Sequence, residues 1–298
     1  MSRWAGLSTL QRGRLAVMLA AILWSTSGAF VKKLELPDKT FTVYRAGIAG
    51  TSLLLVVAVT RTAITFEPMM LGMVAAFALM NHWFMASMVK TTAANAIFLQ
   101  YSAPVWMYLA SVFLLKEPAQ PRTAKALVLA VIGLGVLLAG EWHRSAALTE
   151  GVIYGLLSGV GFATVAVFLR LLRRHDPLWL ASLNMMCAAA LALTAFWQSG
   201  DAEAWRAVWP PPTGWTLLVL VAFGTMQLAL PYVLFGWGLK YVSPQEAGLL
   251  ALFEPILNPV WAYVVAWERP SASTIIGGAI LVAALVWQAW PRSEAGPG

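Results

Sequence analysis

Charge is scarce in this chain. Of 298 residues, 11% are Asp, Glu, Lys or Arg and 60% are apolar, whereas a water-soluble domain is about one quarter charged. So little charge cannot cover a water-facing globule of this size, and a bilayer is the solvent that fits. Cysteine is nearly absent. Cys187 stands alone, which rules out an internal disulfide and a thiolate metal site. Histidine is limited to His82, His143 and His175, with no HExxH pair; the clustered ligands of a zinc hydrolase are missing, and so is a grouped nucleophile and base. No GxxxxGK[ST] loop occurs, so ATP hydrolysis of the P-loop kind is excluded. The net charge is +7, yet Lys and Arg form short clusters between apolar runs and no basic stripe. They read as topology signals and contacts to anionic lipid, not as a nucleic-acid surface. Neither a metal nor a cofactor is called for, and an enzyme is not expected.

What the sequence has instead is apolar length. A helix needs about 20 apolar residues to cross the hydrocarbon core, with a range of roughly 17 to 25. Reading between charged and turn-rich breaks gives ten candidates, the fifth of them short: 15–31, 41–60, 68–89, 91–115, 126–140, 151–169, 178–198, 213–239, 247–267 and 270–290. The first ends at Lys32 without a small-residue cleavage site and is expected to be retained. Connections are short, so function must lie within the helices or at their ends. Twelve Lys and Arg, among them Arg12, Arg14, Arg61, Arg173 and Lys240, fall on the side of the N-terminus; seven fall opposite, and Arg45 lies within the second span. That bias predicts that both termini are cytoplasmic. Fifteen Trp and 16 Pro also suit a membrane protein, Trp at interfaces and Pro within spans.

An internal repeat is visible. The fourth span reads AANAIFLQYSAPVWMYLASVFLLKEP, and the ninth reads QEAGLLALFEPILNPVWAYVVAWERP. In one register Ala96 meets Ala247, Pro104 meets Pro255 and Glu117 meets Glu268. The fold expected is therefore an all-α membrane protein of ten transmembrane helices, arranged as two five-helix repeats over residues 1–145 and 146–298. Five is odd, so the halves must be inverted relative to one another. Inverted repeats are the architecture of secondary transporters, whose substrate site lies at the midplane between the repeats.

These residues carry a family resemblance. LWSTSGAFVKK at 23–33, YRAGIAG at 44–50, Ala96, Pro104 and Glu117 followed by Gly133 and Gly135, and then Ala247, Pro255 and Glu268 followed by Gly277 and Gly278, resemble the drug/metabolite transporter superfamily with two EamA domains. Within it the chain looks most like the bacterial exporters of aromatic amino acids. The resemblance implies ten spans in the inner membrane, cytoplasmic termini, a central cavity shared by both halves, and export of small metabolites such as amino acids. A sugar-nucleotide or phosphate-ester exchanger is the nearest rival, and a passive facilitator the next.

Polar groups at membrane depth are costly unless partnered, and so mark candidate sites. His82 in span 3 either lines the cavity, where it could couple protons, or packs against a neighbouring helix. Glu254 before Pro255 either meets a substrate ammonium or pairs within the protein. Pro255 also leaves the Ala251 carbonyl without its helical donor. Helical spacing puts Asn95, Ser102 and Trp106 on one face of span 4, with Tyr101 on another, and joins Trp24 to Ser27 in span 1. Gln227, with Tyr232 near it, does the same in span 8. These nine residues, Trp24, Ser27, His82, Asn95, Ser102, Trp106, Gln227, Tyr232 and Glu254, are the expected substrate contacts. Arg45 reads as a cation at the interface. Glu117 and Glu268 read as structural, each capping a neighbouring helix N-terminus.

Overall fold

The computed structural model describes residues 7–34, 36, 38–114, 121–141, 146–199, 213–238, 240–242, 250–251 and 253–289. Glu117, Ala247, His143 and most of the connection 199–212 lie outside the described residues. Every regular element among those described is helical. Span 1 is α1 (Thr9–Trp24) and α2 (Ser27–Leu34); span 2 is α3 (Asp38–Thr60) and span 3 is α4 (Met69–Lys90). Span 4 is α5 (Ala93–Gln100) and α6 (Ala103–Leu109), followed by a π-helical turn (Ala110–Leu114). Spans 5 to 7 are α7 (Pro121–Glu141), α8 (Ala146–Leu171) and α9 (Pro177–Ser199). Span 8 is α10 (Gly214–Ala222), a π turn (Phe223–Ala229) and α11 (Leu230–Gly238); α12 (Phe253–Ala266) and α13 (Ala272–Ala289) complete spans 9 and 10.

Seven of these spans are long and apolar enough to cross a membrane, and α7 and α13 contain shorter apolar stretches at 124–140 and 272–284. With α12 they make the ten spans expected. Large apolar side chains point outward all around the bundle, including Val59, Leu71, Phe113, Val128, Val264 and Ile275. In water such a surface would aggregate, whereas in lipid it is the surface that is needed.

The helices pair according to a rule. Span 1 packs on span 8, and span 6 on span 3; span 4 packs on span 6, and span 9 on span 1; span 2 packs on span 7, and span 5 on span 10. Advancing each number by five, cyclically, reproduces the same set. This is the packing that two halves related by a two-fold axis produce. Small residues make the close approaches. A methyl on Gly133 would lie 2.7 Å from the Gly277 carbonyl, and one on Gly277 would lie 2.5 Å from the Gly133 carbonyl, so α7 and α13 cross backbone to backbone. Gly151, Gly155 and Gly159 form a small-residue stripe on α8. It receives Thr91, Leu99 and Ser102 of span 4 and its approach, the packing mode favoured where lipid supplies no hydrophobic drive between helices.

Each end of the bundle is tied by charge. At one end Glu268 Oε1 accepts from the Ala93 N–H at the start of α5, 2.6 Å away, and its Oε2 pairs with Lys32 at 3.1 Å. Glu268 thus caps a neighbouring helix N-terminus, where its negative charge meets the positive end of the helix dipole. At the other end Glu67 accepts from Arg174 at 2.7 Å and sits 2.9 Å from His175 Nε2. Those two contacts hold the Glu67 carboxyl below its ordinary range.

Candidate functional site

The interior of the bundle is organised around helix breaks. In span 1 the sequence Trp24-Ser25-Thr26 interrupts the helix because both hydroxyls fold back on it. Ser25 Oγ donates to the Ile22 carbonyl at 2.6 Å and Thr26 Oγ1 to the Leu23 carbonyl at 2.7 Å, competing with the backbone ladder. The Trp24 carbonyl is freed from the ladder and accepts instead from Gln227 Nε2 at 3.1 Å. Gln227, 2% exposed, is presented by the π turn of span 8. Such turns widen a helix locally and recur at functional sites.

Gln227 reaches in the other direction to Arg45. Arg45 Nε donates to Gln227 Oε1 at 3.1 Å, and Nη1 donates to Asn81 Oδ1 at 3.3 Å. The guanidinium also lies 4.9 Å from the centre of the Phe223 ring, a cation–π contact. Arg45 is 4% exposed, which overturns its reading as an interfacial cation. It lies seven residues into α3, about 10 Å of helix rise, and neutral acceptors from spans 3 and 8 replace the water it gives up. An arginine carries five N–H donors, and these bonds engage two of them.

Span 4 breaks at Tyr101–Ser102, just before Pro104, and α12 of span 9 begins at Phe253, just before Pro255. The Ala251 carbonyl, denied a donor from Pro255, accepts the Glu254 N–H at 2.9 Å and the Tyr101 hydroxyl at 2.7 Å, and that hydroxyl also lies 3.2 Å from Glu254 Oε2. A side chain at the break of span 4 therefore reaches the start of α12 in the other half. Glu254 occupies the first turn of α12, where a carboxylate suits the helix dipole. Glu254 and Tyr232 both lie close enough to Arg45 to interact with it electrostatically. No carboxylate is in ion-pair contact with Arg45 among the described residues. Tyr232 stands edge-on to Trp24 at 5.0 Å and to Phe77 at 5.3 Å, which gives the centre an aromatic wall.

Of the nine expected contacts, Trp24, Gln227, Tyr232 and Glu254 gather at this centre. Ser27 is buried one turn further along span 1, accepting from Asn258 Nδ2 at 2.8 Å. His82 sits on α4 with its ring 6.2 Å from that of Tyr154 on α8, while its neighbour Asn81 is the residue that reaches Arg45. Asn95 Oδ1 accepts from Thr274 Oγ1 at 2.5 Å on the α13 side. Ser102 packs on Gly159 and accepts from Trp106 Nε1 at 3.3 Å, and Trp106 is 40% exposed. Three members of the centre, Arg45, Asn81 and Tyr101, were not among the nine. A continuous helix over span 4 would put Tyr101 on another face. The break at Tyr101–Ser102 changes the phase of everything after it, and the signal for that break was Pro104.

Comparison with known proteins agrees with this architecture. The model of the EamA-like transporter family matches residues 11–139 and again 149–289. An uncharacterized transporter of Archaeoglobus fulgidus is 29% identical over 278 residues, covering 93% of this chain and 96% of that one. The pseudopaline exporter CntI of Pseudomonas aeruginosa is 25% identical over 287 residues, covering 94% and 96% respectively. A crystal structure 19% identical in sequence superposes with a TM-score of 0.70, covering 93% of this chain and 96% of that one; it is similar in fold.

Proposed function

Because the chain belongs to the EamA-like transporter family, we propose that it is a secondary transporter exporting small neutral metabolites, foremost amino acids with aromatic or long apolar side chains. It works by alternating access between inverted halves divided at residues 145 and 146, in a bacterial-type cytoplasmic membrane with both termini inside. The observation that carries the substrate class is a buried cation, Arg45, and a half-buried carboxylate, Glu254, that reach one centre without bonding each other. A zwitterion satisfies both. Its carboxylate meets the remaining donors of Arg45, with the planar fork suited to a bidentate contact, and its ammonium meets Glu254. Trp24, Phe77, Phe223 and Tyr232 surround the apolar part, where each buried methylene contributes about 0.8 kcal/mol.

A dianionic phosphate ester would find one cation here and a repelling Glu254, which weighs against the sugar-nucleotide or phosphate-ester alternative. The export direction draws support from the relative named as an exporter, and the placement of the termini from the distribution of Lys and Arg.

The test is competition in proteoliposomes. Excess phenylalanine, tryptophan or methionine should block uptake of a labelled neutral amino acid, and glutamate should not. Arg45→Gln should raise KM at least about tenfold, the equivalent of roughly 1.4 kcal/mol. If glutamate or a sugar phosphate competes better than all three, the charge-matching argument is wrong. Flux without saturation or counterflow would identify a passive facilitator instead.

A further inference from the structure

A cavity of about 320 Å³ opens between spans 6, 7 and 8, at the low end of the roughly 300–1,000 Å³ usual for small-molecule sites. It lies at the end of the bundle tied by Glu67, and its lining meets the Arg45 centre only at Tyr232. Arg173, His175 and Lys240 stand at its mouth, Leu169, Leu180 and Phe235 form apolar walls, and Asn184 and Tyr232 lie deeper. The cations differ in availability. His175 is engaged at both nitrogens, by Thr65 Oγ1 at 2.7 Å and by Glu67 at 2.9 Å, whereas Glu67 is shared between His175 and Arg174. Arg173 and Lys240 are exposed and form no ion pair among the described residues.

The second observation is at depth. Asn184 is 1% exposed, lines this cavity, and its Oδ1 has no hydrogen-bond partner. A buried, unmatched acceptor is destabilising, and it is relieved by a ligand that brings an N–H or O–H. Asn184 lies seven residues beyond Pro177 at the mouth, about 10 Å along the helix. Long Arg and Lys side chains bridge part of that distance. The cavity thus offers cations at one end, an acceptor at the other and apolar walls between.

We propose that this cavity is a loading subsite for a small zwitterion with an apolar body. Arg173 and Lys240 take the carboxylate, Asn184 accepts from the ammonium, and Leu169, Leu180 and Phe235 take the side chain. The deep end is shared with the central site, because Tyr232 lines this cavity and its ring also packs on Trp24 and Phe77. The subsite rests on the amino-acid reading above and adds to it a first recognition step, made before substrate reaches Arg45 and Glu254.

The experiment compares wild type, Arg173→Gln/Lys240→Gln and Asn184→Ala in liposomes of neutral lipid and in liposomes with anionic lipid. Labelled phenylalanine is the probe and phenethylamine, which lacks the carboxylate, the competitor. The double variant should raise the phenylalanine KM about tenfold, the equivalent of losing one good charge contact, with kcat changed less than about twofold. It should leave competition by phenethylamine unchanged, and it should behave alike in both lipids. Asn184→Ala should weaken phenylalanine and phenethylamine together. An unchanged KM in the double variant, with wild-type transport intact, overturns the subsite and leaves the amino-acid reading standing. An effect confined to anionic liposomes overturns it in favour of a lipid headgroup at the mouth. Absence of phenylalanine transport by the wild type removes the reading and the subsite together.

Discussion

Alanine at Gly133 and at Gly277 should damage the same crossing. A Cβ on Gly133 would lie 2.7 Å from the Gly277 carbonyl and 2.8 Å from the Leu281 nitrogen; one on Gly277 would lie 2.5 Å from the Gly133 carbonyl and 2.8 Å from the Leu137 nitrogen. Carbon atoms rest comfortably at about 3.5–4.0 Å from their neighbours, so either methyl must push α7 and α13 apart by roughly 1 Å along the crossing. The obstacles are backbone atoms, which cannot rotate away. Overpacking of this kind costs about 1–3 kcal/mol, partly offset by the better helix propensity of alanine, at most about 1 kcal/mol. At about 2 °C per kcal/mol for a chain of this size, each variant should melt about 2–4 °C lower in detergent or nanodiscs. The two halves should respond alike, because each glycine faces the other's carbonyl. The double variant should cost less than the sum, by about 0.5 kcal/mol or more, since the second methyl enters a gap the first has opened. Gly135→Ala is the control: nothing lies within 4 Å of its would-be Cβ, and it should be neutral or slightly stabilising. If Gly135→Ala were as harmful as Gly133→Ala, or if the two crossing variants were strictly additive, the backbone-to-backbone contact would be refuted.

Two further outcomes follow from the ties across the bundle. Tyr101→Phe leaves the Ala251 carbonyl without its cross-half donor and frees Glu254; it should slow transport by about tenfold or more while lowering the melting temperature by only a few degrees, the cost of one buried bond being about 1–3 kcal/mol, and an unchanged turnover would assign Tyr101 to packing. Glu67 is held below its ordinary carboxyl value of 4.5 by His175 and Arg174, so its contribution to stability is present above that value and is lost as pH falls through the lower, folded one; the wild type should lose melting temperature over that acid window, Glu67→Gln should lose less, and equal slopes would mean that the pair contributes nothing.

How much was legible in the sequence depended on which physical signal was strong. Apolar length located all ten spans, because a spanning helix must satisfy its own backbone and clothe itself in apolar side chains. The inverted arrangement could be read from Pro104, Pro255 and an odd number of spans per half. That the Ala251 carbonyl lacks a donor at Pro255 was likewise foreseeable; it accepts the Glu254 N–H at 2.9 Å and the Tyr101 hydroxyl at 2.7 Å instead. The site was less legible. Asn95, Ser102 and Trp106 share a stripe in an ideal helix, but their neighbours are Thr274, Gly159 and one another. Periodicity says which residues share a face and not which face meets the centre. Arg45 was misplaced for a different reason. A lone cation in an apolar run is read as interfacial unless its partners are known, and Gln227 and Asn81 come from helices 182 and 36 residues away.

The breaks themselves are unevenly shared between the halves, and that unevenness bears on mechanism. In spans 4 and 9 a helix starts at near-equivalent points before a proline, at Ala103 and Phe253. Span 1 is interrupted at Ser25–Thr26, whereas its counterpart, span 6, runs unbroken from Ala146 to Leu171. Span 8 carries a π turn that span 3 lacks. Both asymmetric features meet at a single residue, Gln227, whose amide joins the Trp24 carbonyl to Arg45. Duplicated halves supply two nearly equal packings, which is what exchange between open faces requires. A site placed on the shared axis and built symmetrically would have to bind its substrate through equivalent groups. The zwitterion proposed here has unlike ends, so it needs a cation from one half and a carboxylate from the other. Arg45 comes from span 2, Glu254 comes from span 9, and the counterpart of Glu254 in the first half is Ala103. In the proposed mechanism the repeat would account for the motion, and its departures from symmetry for the recognition.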